Sequence, residues 1–558
     1  MRALIAECWG LVRPYWKSDE RWLARALLTV VVGMNLGEVY LNVLFNQWNN
    51  DFYNSLQAVD QAAFWKALIR FSYLAAIFIV VAVYRTYLNQ MLRIKWRRWL
   101  TAQYLSDWLG RQNYYRMQLF GGKTDNPDQR ISEDIEQFIS LTLGLALGLL
   151  SAVVTLFSFL TILWMLSGPL EFVLGGTPVS IPGYMVWVAI VYALAGTWLT
   201  MQIGRPLISL NFNQQRYEAD FRFSLVRLRE NSESVAFYKG EAREQENFLG
   251  RFSAVVDNFW QIMRRQKRLN WLTSGYQQIA IIFPFVVAAP RFFAGKIQLG
   301  GLMQTASAFG QVQGALSYLI DAYSNIATWK AVTQRLSGFN HSIRDAEAMR
   351  LLAKSFERRL TNEPLIQTTD LIIRLPDGRR LLSQINLSIK PGDSLLITGP
   401  SGSGKSTLLR AFAGLWPYVE GTLTLPAHAR LLFLPQKPYL PLGTLHAALT
   451  YPGADASDDE VQTVLSRCGL EHLAPRLGEV ALWSHILSLG EQQRIAFARI
   501  LLAKPEFVFL DEATSALDEA AESQLYGILK AQLPKTAIVS VGHRSTLRAW
   551  HAKEMGLS

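Results

Sequence analysis

Residues Gly399, Pro400, Ser401, Gly402, Ser403, Gly404, Lys405, Ser406 and Thr407 form the run GPSGSGKST. It fits the phosphate-loop template G-x-x-x-x-G-K-[ST], with Gly399, Gly404, Lys405 and Ser406 at the defining positions. Leu395-Leu396-Ile397 before it reads as a strand, and Thr407 to Phe412 after it as a helix. Strand, glycine loop and helix together make the setting in which backbone N–H groups close around phosphates at a helix N-terminus. Lys405 is placed to reach the β- and γ-phosphates, and the Ser406 hydroxyl to ligate Mg²⁺. The chemistry implied is binding of a nucleoside triphosphate.

Further candidates follow in order. Phe507-Val508-Phe509-Leu510-Asp511-Glu512 is an apolar strand ending in two carboxylates. Asp511 is placed to hold the metal shell and Glu512 to polarise an attacking water. Gln436 follows the apolar run Leu431 to Leu434, and Leu487-Ser488-Leu489-Gly490-Glu491-Gln492-Gln493-Arg494 comes before the carboxylates. Ser515-Ala516-Leu517-Asp518 comes after them, and His543 follows the strand Ala537 to Val541. Each is weak alone; a single His after a strand is usually a surface or packing residue.

In this order the set resembles the ATPase cassette of ABC transporters, and the resemblance implies roles. ATP is the nucleotide, and Mg²⁺ falls to Ser406, Asp511 and Gln436. Gln436 matches the lid-loop glutamine that senses the metal and the membrane domain. Ser488 and Gly490 match the signature that caps the γ-phosphate of an ATP held by the opposite cassette. Asp518 matches the aspartate linking the two sites, and His543 the switch histidine on the γ-phosphate. Glu512, His543 and Gln436 are thus the catalytic set. Two departures stand out: LSLGEQQ replaces the commoner LSGGQ, and no aromatic for stacking on adenine falls near Arg374-Leu375-Pro376. An arginine or aliphatic face is left to meet the base.

Something must carry that cassette. The chain has 558 residues, 50% of them hydrophobic, with 17 Trp, which excludes an ordinary soluble enzyme and suggests interfacial anchoring. Apolar stretches of near-spanning length fall at about 22–45, 66–90, 137–166, 183–204, 270–292 and 298–325. The fold class expected is an α-helical six-span transmembrane domain followed by an α/β P-loop ABC ATPase domain. The expected boundaries are residues 1–335 for the membrane part, 336–360 for a charged helical linker and 361–558 for the nucleotide-binding part.

Lys and Arg crowd the segments after spans two and four, from Arg93 to Arg130 and from Arg205 to Arg268. The stretch between spans one and two nearly lacks them, and Ser167 to Pro182 has only Glu171. The basic segments are therefore expected in the cytoplasm, with the N-terminus and cassette. The net charge of +11 follows from this bias and needs no nucleic-acid partner. Met1 to Val12 lacks a cleavable signal pattern, and Trp9, Leu11, Val12, Tyr15 and Trp16 suggest an amphipathic interfacial segment. Cys8 and Cys468 are far apart and both expected in the cytoplasm, against a disulfide. His341 has no second ligand at metal-like spacing.

Two cytoplasmic segments carry a finer resemblance. Asn126 to Asp134 precedes span three, and Glu230 to Glu241 lies between spans four and five. Both are similar to hallmarks shared by ABC subfamily D and the bacterial SbmA/BacA peptide-uptake family. PYWKSDERW, WNNDFYNSL and the sequence around span six are closer to the bacterial branch. Because SbmA and BacA lack a cassette, the YddA-like group is the match. It implies a homodimeric half-transporter, multi-pass in the bacterial inner membrane among its lipids, working by alternating access. The implied cargo is peptide- or cobalamin-like, with a lipid or acyl-CoA-type export as in subfamily D, or a proton-driven carrier, as alternatives. On the residues themselves, Glu230, Glu233, Glu241 and Glu244 around Val235, Ala236 and Phe237 suit a short helix docked on a cassette, or a solvated hairpin.

Polar residues at membrane depth are the substrate-path candidates. Asn35, Glu38 and Asn42 lie in span one; Gln304, Ser307 and Gln311 share a face of span six. A carboxylate at that depth faces a cavity or a partner, so Glu38 either contacts substrate or protons, or pairs with a neighbouring Arg or Lys. The glutamine face serves equally as a path or as interhelical glue.

Overall fold

The structure is a computed structural model that describes residues 2–119, 126–174, 177–352 and 356–557. The first three expected spans and the fifth sit inside the helices Arg21–Gln57, Gln61–Leu109, Ile135–Ser167 and Glu241–Phe293; the fourth begins one residue before Tyr184–Glu230, and the sixth overruns Leu299–Asp321 into the next helix, Tyr323–Leu352. In hydrocarbon every backbone N–H and C=O must be paired within the segment, so long apolar runs fold as helices. Most overshoot the bilayer. At 1.5 Å per residue the 49-residue second span helix is about 74 Å long against a hydrocarbon core of about 30 Å.

Among the described residues, five helices are long and apolar enough to cross a membrane, and Leu299–Asp321 is not one of them. Gln304, Gln311 and Gln313 dilute its hydropathy, and the first of them is held by another helix. Asn46 Nδ2 donates to the Gln304 carbonyl at 3.0 Å, and Asn50 Nδ2 to Gln304 Oε1 at 2.6 Å. The first helix thus grips the sixth by amides. The expected loop from Ser167 to Pro182 holds an antiparallel hairpin, Pro169–Leu174 with Thr177–Pro182.

The chain divides into two units, Met1–Asp107 with Thr124–His341, and Trp108–Lys123 with Ser342–Ser558. Within the first, the hallmark segment before span three has a clear physical role. Asp134 is 1% exposed and is held by Arg130 at 2.7 Å and bidentately by Arg335, at 2.7 and 2.9 Å. Removing the carboxylate leaves two guanidiniums around a buried hole, so Asp134→Ala should destabilise this unit by about 3 kcal/mol. A lowered midpoint of thermal unfolding in nanodiscs is the readout.

The second unit is built on a five-stranded parallel sheet in the order Lys553–Gly556, Ser394–Thr398, Ala537–Val541, Phe507–Asp511, Leu431–Leu434. Parallel strands covered on both faces read as continuous apolar runs. Here side chains alternate between two cores: Leu396, Val508, Leu510 and Ile538 enter one, Leu395, Ile397, Phe507, Phe509 and Val539 the other. A four-stranded sheet, Phe356–Thr361, Val419–Pro426, Ile366–Arg374 and Arg380–Ile389, covers the second core. Helices Leu445–Thr450, Asp458–Arg467 and Leu489–Ala503 pack into the first. The sequence reading did not anticipate that Trp108–Lys123 joins this unit, with Leu119 packed against the second core.

Candidate functional site

Four neighbouring parallel strands deliver the expected residues to one edge. Ser394–Thr398 leads into the phosphate loop, Ala537–Val541 toward His543, Phe507–Asp511 into Glu512, and Leu431–Leu434 toward Gln436. The carboxyl ends of parallel strands are where ligands bind in such sheets.

The loop's glycines are forced by geometry at two places. Gly399 has φ +151° and a Cβ there would meet the Leu557 carbonyl oxygen at 2.5 Å; Gly404 has φ +92° and would meet Leu381 Cγ at 2.9 Å. Lys405 Nζ donates to the carbonyls of Gly399 and Pro400, both at 2.8 Å, which curls the loop around the ammonium. Ser403 Oγ is buried without a hydrogen-bond partner inside this curl. A cradle too tight for Cβ atoms, with a buried amine and an orphaned hydroxyl, fits a phosphate chain.

Ser406 Oγ donates to Asp511 Oδ1 at 2.9 Å. Burial pushes the Asp511 carboxyl above its usual range, the Ser406 hydrogen bond draws it back, and the charge of Glu512 raises it again. A divalent cation between Ser406 and Asp511 would offset both penalties, so the donor set suits Mg²⁺. Gln436 Nε2 donates to Glu512 Oε2 at 3.0 Å, and His543 Nδ1 lies 3.9 Å from Glu512 Oε1. Glu512 itself has φ +49°, a conformation costly for a residue with a side chain, held by its N–H to the Val541 carbonyl at 3.1 Å. A cavity of about 690 Å³ is walled by the loop, Leu375, Leu381, Glu512 and His543. Of the two base-facing surfaces left open by the sequence, the aliphatic one lines this cavity; Arg374 is turned onto Glu420 at 2.7 Å.

Ser488, Gly490 and Asp518 lie outside this cavity. Ser488 caps the helix Leu489–Ala503 in a reciprocal box with Glu491, whose Oε2 also accepts from Ser488 Oγ at 2.8 Å. Asp518 caps Glu519–Gln532, accepting from the Ala521 N–H at 2.7 Å. Of the membrane candidates, Glu38 pairs with Arg85 at 2.6 Å and Gln311 lines a polar cavity. Gln304 is 7% exposed, its side chain accepts from Asn50 and its carbonyl from Asn46, an arrangement that suits the interhelical-glue alternative.

Sequence reasoning missed Gln493, the residue that ties the site together. Fully buried, it donates from Nε2 to the Gln436 carbonyl at 3.0 Å and to Ser515 Oγ at 3.1 Å, and accepts from the Ala516 N–H at 2.9 Å. Only its place in the run Glu491-Gln492-Gln493 hinted at this. Arg544 adds a second tie, donating to the Leu517 and Ser515 carbonyls at 2.7 and 3.0 Å. Gln493→Ala should displace Gln436 and the Ser515–Asp518 loop together. We expect kcat for ATP hydrolysis to fall on the order of ten- to a hundredfold with little change in KM.

Comparison with known proteins gives matches along nearly the whole chain. Residues 10–293 match the model of ABC transporter transmembrane region 2, and residues 382–515 that of ABC transporter. An inner membrane ABC transporter ATP-binding protein of Escherichia coli, YddA, is 36% identical over 98% of this chain and 96% of its own length. ABC transporter D family member 2, chloroplastic, of Arabidopsis thaliana is 34% identical over 100% of this chain and 86% of its own. A bacterial Atm1-family ABC exporter with ATP bound shares the fold, with a TM-score of 0.71, 18% identity, and coverage of 96% of this chain and 93% of the other.

Proposed function

We propose, on the premise that this chain belongs to the ABC half-transporters of the YddA and subfamily D type, that two copies form one ATP-driven pump. The family places ATP hydrolysis in the service of transport, in a multi-pass membrane protein. The observation that carries the proposal is the convergence of Lys405, Ser406, Asp511, Glu512, Gln436 and His543 at one sheet edge. Lys405 and the loop N–H groups hold the phosphates, and Ser406, Asp511 and Gln436 would hold Mg²⁺, which supplies charge neutralisation when bound. Glu512 takes the proton of the attacking water while Gln436 and His543 orient its carboxylate.

A second copy completes the site. Ser488 and Gly490 stand at the N-terminal end of Leu489–Ala503, where a helix dipole favours a phosphate. Leu489 and Ile486 beside them are 41% and 48% exposed, which suits burial against a partner. The contact would be isologous, with Asp518 of each copy beside the other's site. Phe237 and Tyr238, 79% and 86% exposed on the short helix Ser232–Tyr238, suit docking on the partner's cassette.

The Lys and Arg distribution supports a cytoplasmic N-terminus and cassette, and the resemblance to YddA supports a bacterial inner membrane. The cargo we favour is peptide- or cobalamin-like. ATP turnover by the purified chain in nanodiscs, measured while screening peptides, cobalamin and acyl-CoA for stimulation, tests the reading. Hydrolysis raised by one class supports it, and absence of hydrolysis overturns it.

A further inference from the structure

The helix end that would meet the partner's nucleotide carries a carboxylate. Ser488 is exposed at the start of Leu489–Ala503, and the Glu491 side chain folds back over it. Glu491 Oε2 accepts from the Ser488 N–H at 2.9 Å and from Ser488 Oγ at 2.8 Å. The hydroxyl proposed to cap a γ-phosphate is therefore aimed at a carboxylate here. A helix N-terminus is worth about half a positive charge. A full negative charge laid over it leaves about half a negative one, which repels a phosphate.

His472 acts on that imbalance. Its Nε2 donates to Glu491 Oε1 at 3.1 Å, the oxygen that Ser488 does not use. In its imidazolium form it returns the helix end to about half a positive charge. Burial raises the Glu491 carboxyl, but the hydrogen bonds from Ser488 and His472 outweigh it and hold the group below its usual range. The carboxylate is thus a charge that a phosphate must meet or a cation must offset.

Among the described residues His472 is the one basic group paired with Glu491. The neighbouring guanidiniums are all engaged elsewhere. Arg494, one turn along the same helix, donates to the Cys468 and Gly469 carbonyls, both at 3.3 Å. Gly469, at φ +69°, keeps room for it, since a Cβ there would strike that guanidinium. Arg467 is turned to Gln532 at 2.8 Å. Arg476 grips Glu479 at 2.7 and 2.9 Å and stacks over Trp483 at 4.7 Å. His472 stands on the short turn of helix Glu471–Arg476, whose Leu473 is buried in the same core as Leu487 and Ile495, on either side of Ser488 in the chain. The core thereby delivers a side chain that is itself 56% exposed to a fixed point.

We infer that His472 is a positioning residue for the ATP-bound pair of cassettes, acting through Glu491. It holds the carboxylate and offsets its charge, so that the Ser488 hydroxyl can turn from Glu491 to the γ-phosphate held by the other copy. This role rests on the reading that a second copy completes the site. Trapping of radiolabelled ATP by the full Glu512→Gln chain in nanodiscs is the test, at about pH 6, on the acid side of the ordinary imidazole range. His472→Ala should raise the ATP concentration for half-maximal trapping about three- to tenfold, the size of one exposed ion pair in each of two sites. With Glu491→Gln also present, the same change should alter it less than about 1.5-fold, because no carboxylate is left to offset.

Two further variants separate charge from shape. His472→Lys keeps a cation and should return to within about twofold of the histidine chain. His472→Gln keeps a donor without the charge and should stay defective. A histidine that merely braced its own segment would cost the same with and without Glu491→Gln, and that result overturns the role. A lysine variant no better than the glutamine one overturns it too. The trapping itself distinguishes the two failures. Glu512→Gln chain that traps no ATP refutes the pairing of two copies, whereas chain that traps ATP but feels His472→Ala alike in both backgrounds refutes the role of His472 alone.

Discussion

Replacing Glu512 with glutamine should lower ATP turnover by roughly 10²–10⁴-fold, the usual loss when a general base is removed. The amide keeps the shape of the carboxylate and can still meet Gln436, whose Nε2 now donates to Glu512 Oε2 at 3.0 Å. Lys405, Ser406 and Asp511 are untouched, so ATP affinity should hold within a few-fold while kcat collapses. A proportionate rise in KM would instead place Glu512 among the binding groups. Its strained φ of +49° makes position as important as charge, so Glu512→Asp, one methylene shorter, should also lose most turnover.

Lys405→Ala should act on the other parameter. The ammonium sits 9% exposed inside the loop, where a charge-assisted hydrogen bond to phosphate is worth about 1.5–3 kcal/mol. That corresponds to a loss of ATP affinity on the order of tenfold to a hundredfold. The same ammonium closes the loop by donating to the Gly399 and Pro400 carbonyls, so part of the loss comes from a loosened cradle. Lys405→Met keeps the packed stem but supplies no donor, and should be nearly as defective. Equilibrium binding of a fluorescent ATP analogue measures both; undiminished affinity in both variants would remove Lys405 from the site.

The cassette was legible because its chemistry is local. Each of Lys405, Glu512, Gln436 and His543 follows a short apolar strand, and the parallel sheet then aligns those strand ends by register. Gln493 was not legible, since its three hydrogen bonds join residues 57 and 22 to 23 positions away, and nothing in a helical Gln-Gln pair signals which side faces inward. Five of the expected spans showed as apolar runs that the structure makes helices long and apolar enough to cross a membrane, but their full length did not show, because the extensions are polar and resemble loops. Gln304 shows the limit of depth arguments. A glutamine in a span is equally a path or a seam until the facing helix is known, and here the facing helix supplies Asn46 and Asn50 as seam partners. For Glu38 the sequence held both answers open, and the pair with Arg85 supplies the partner.

The claim that two copies close on ATP is tested most directly by a distance between cassettes. Cys468 is buried and its thiol is pushed up to about 12 by that burial, so it should resist labelling; Cys8 can be replaced by serine. A spin label at Val480→Cys, a position 74% exposed, then reports the separation of the two copies in the Glu512→Gln background. The account predicts a broad or long distance without nucleotide and a single short one at saturating Mg-ATP, with ATP retained. A distance that does not change with Mg-ATP, or a chain that hydrolyses ATP as a monomer, would contradict it.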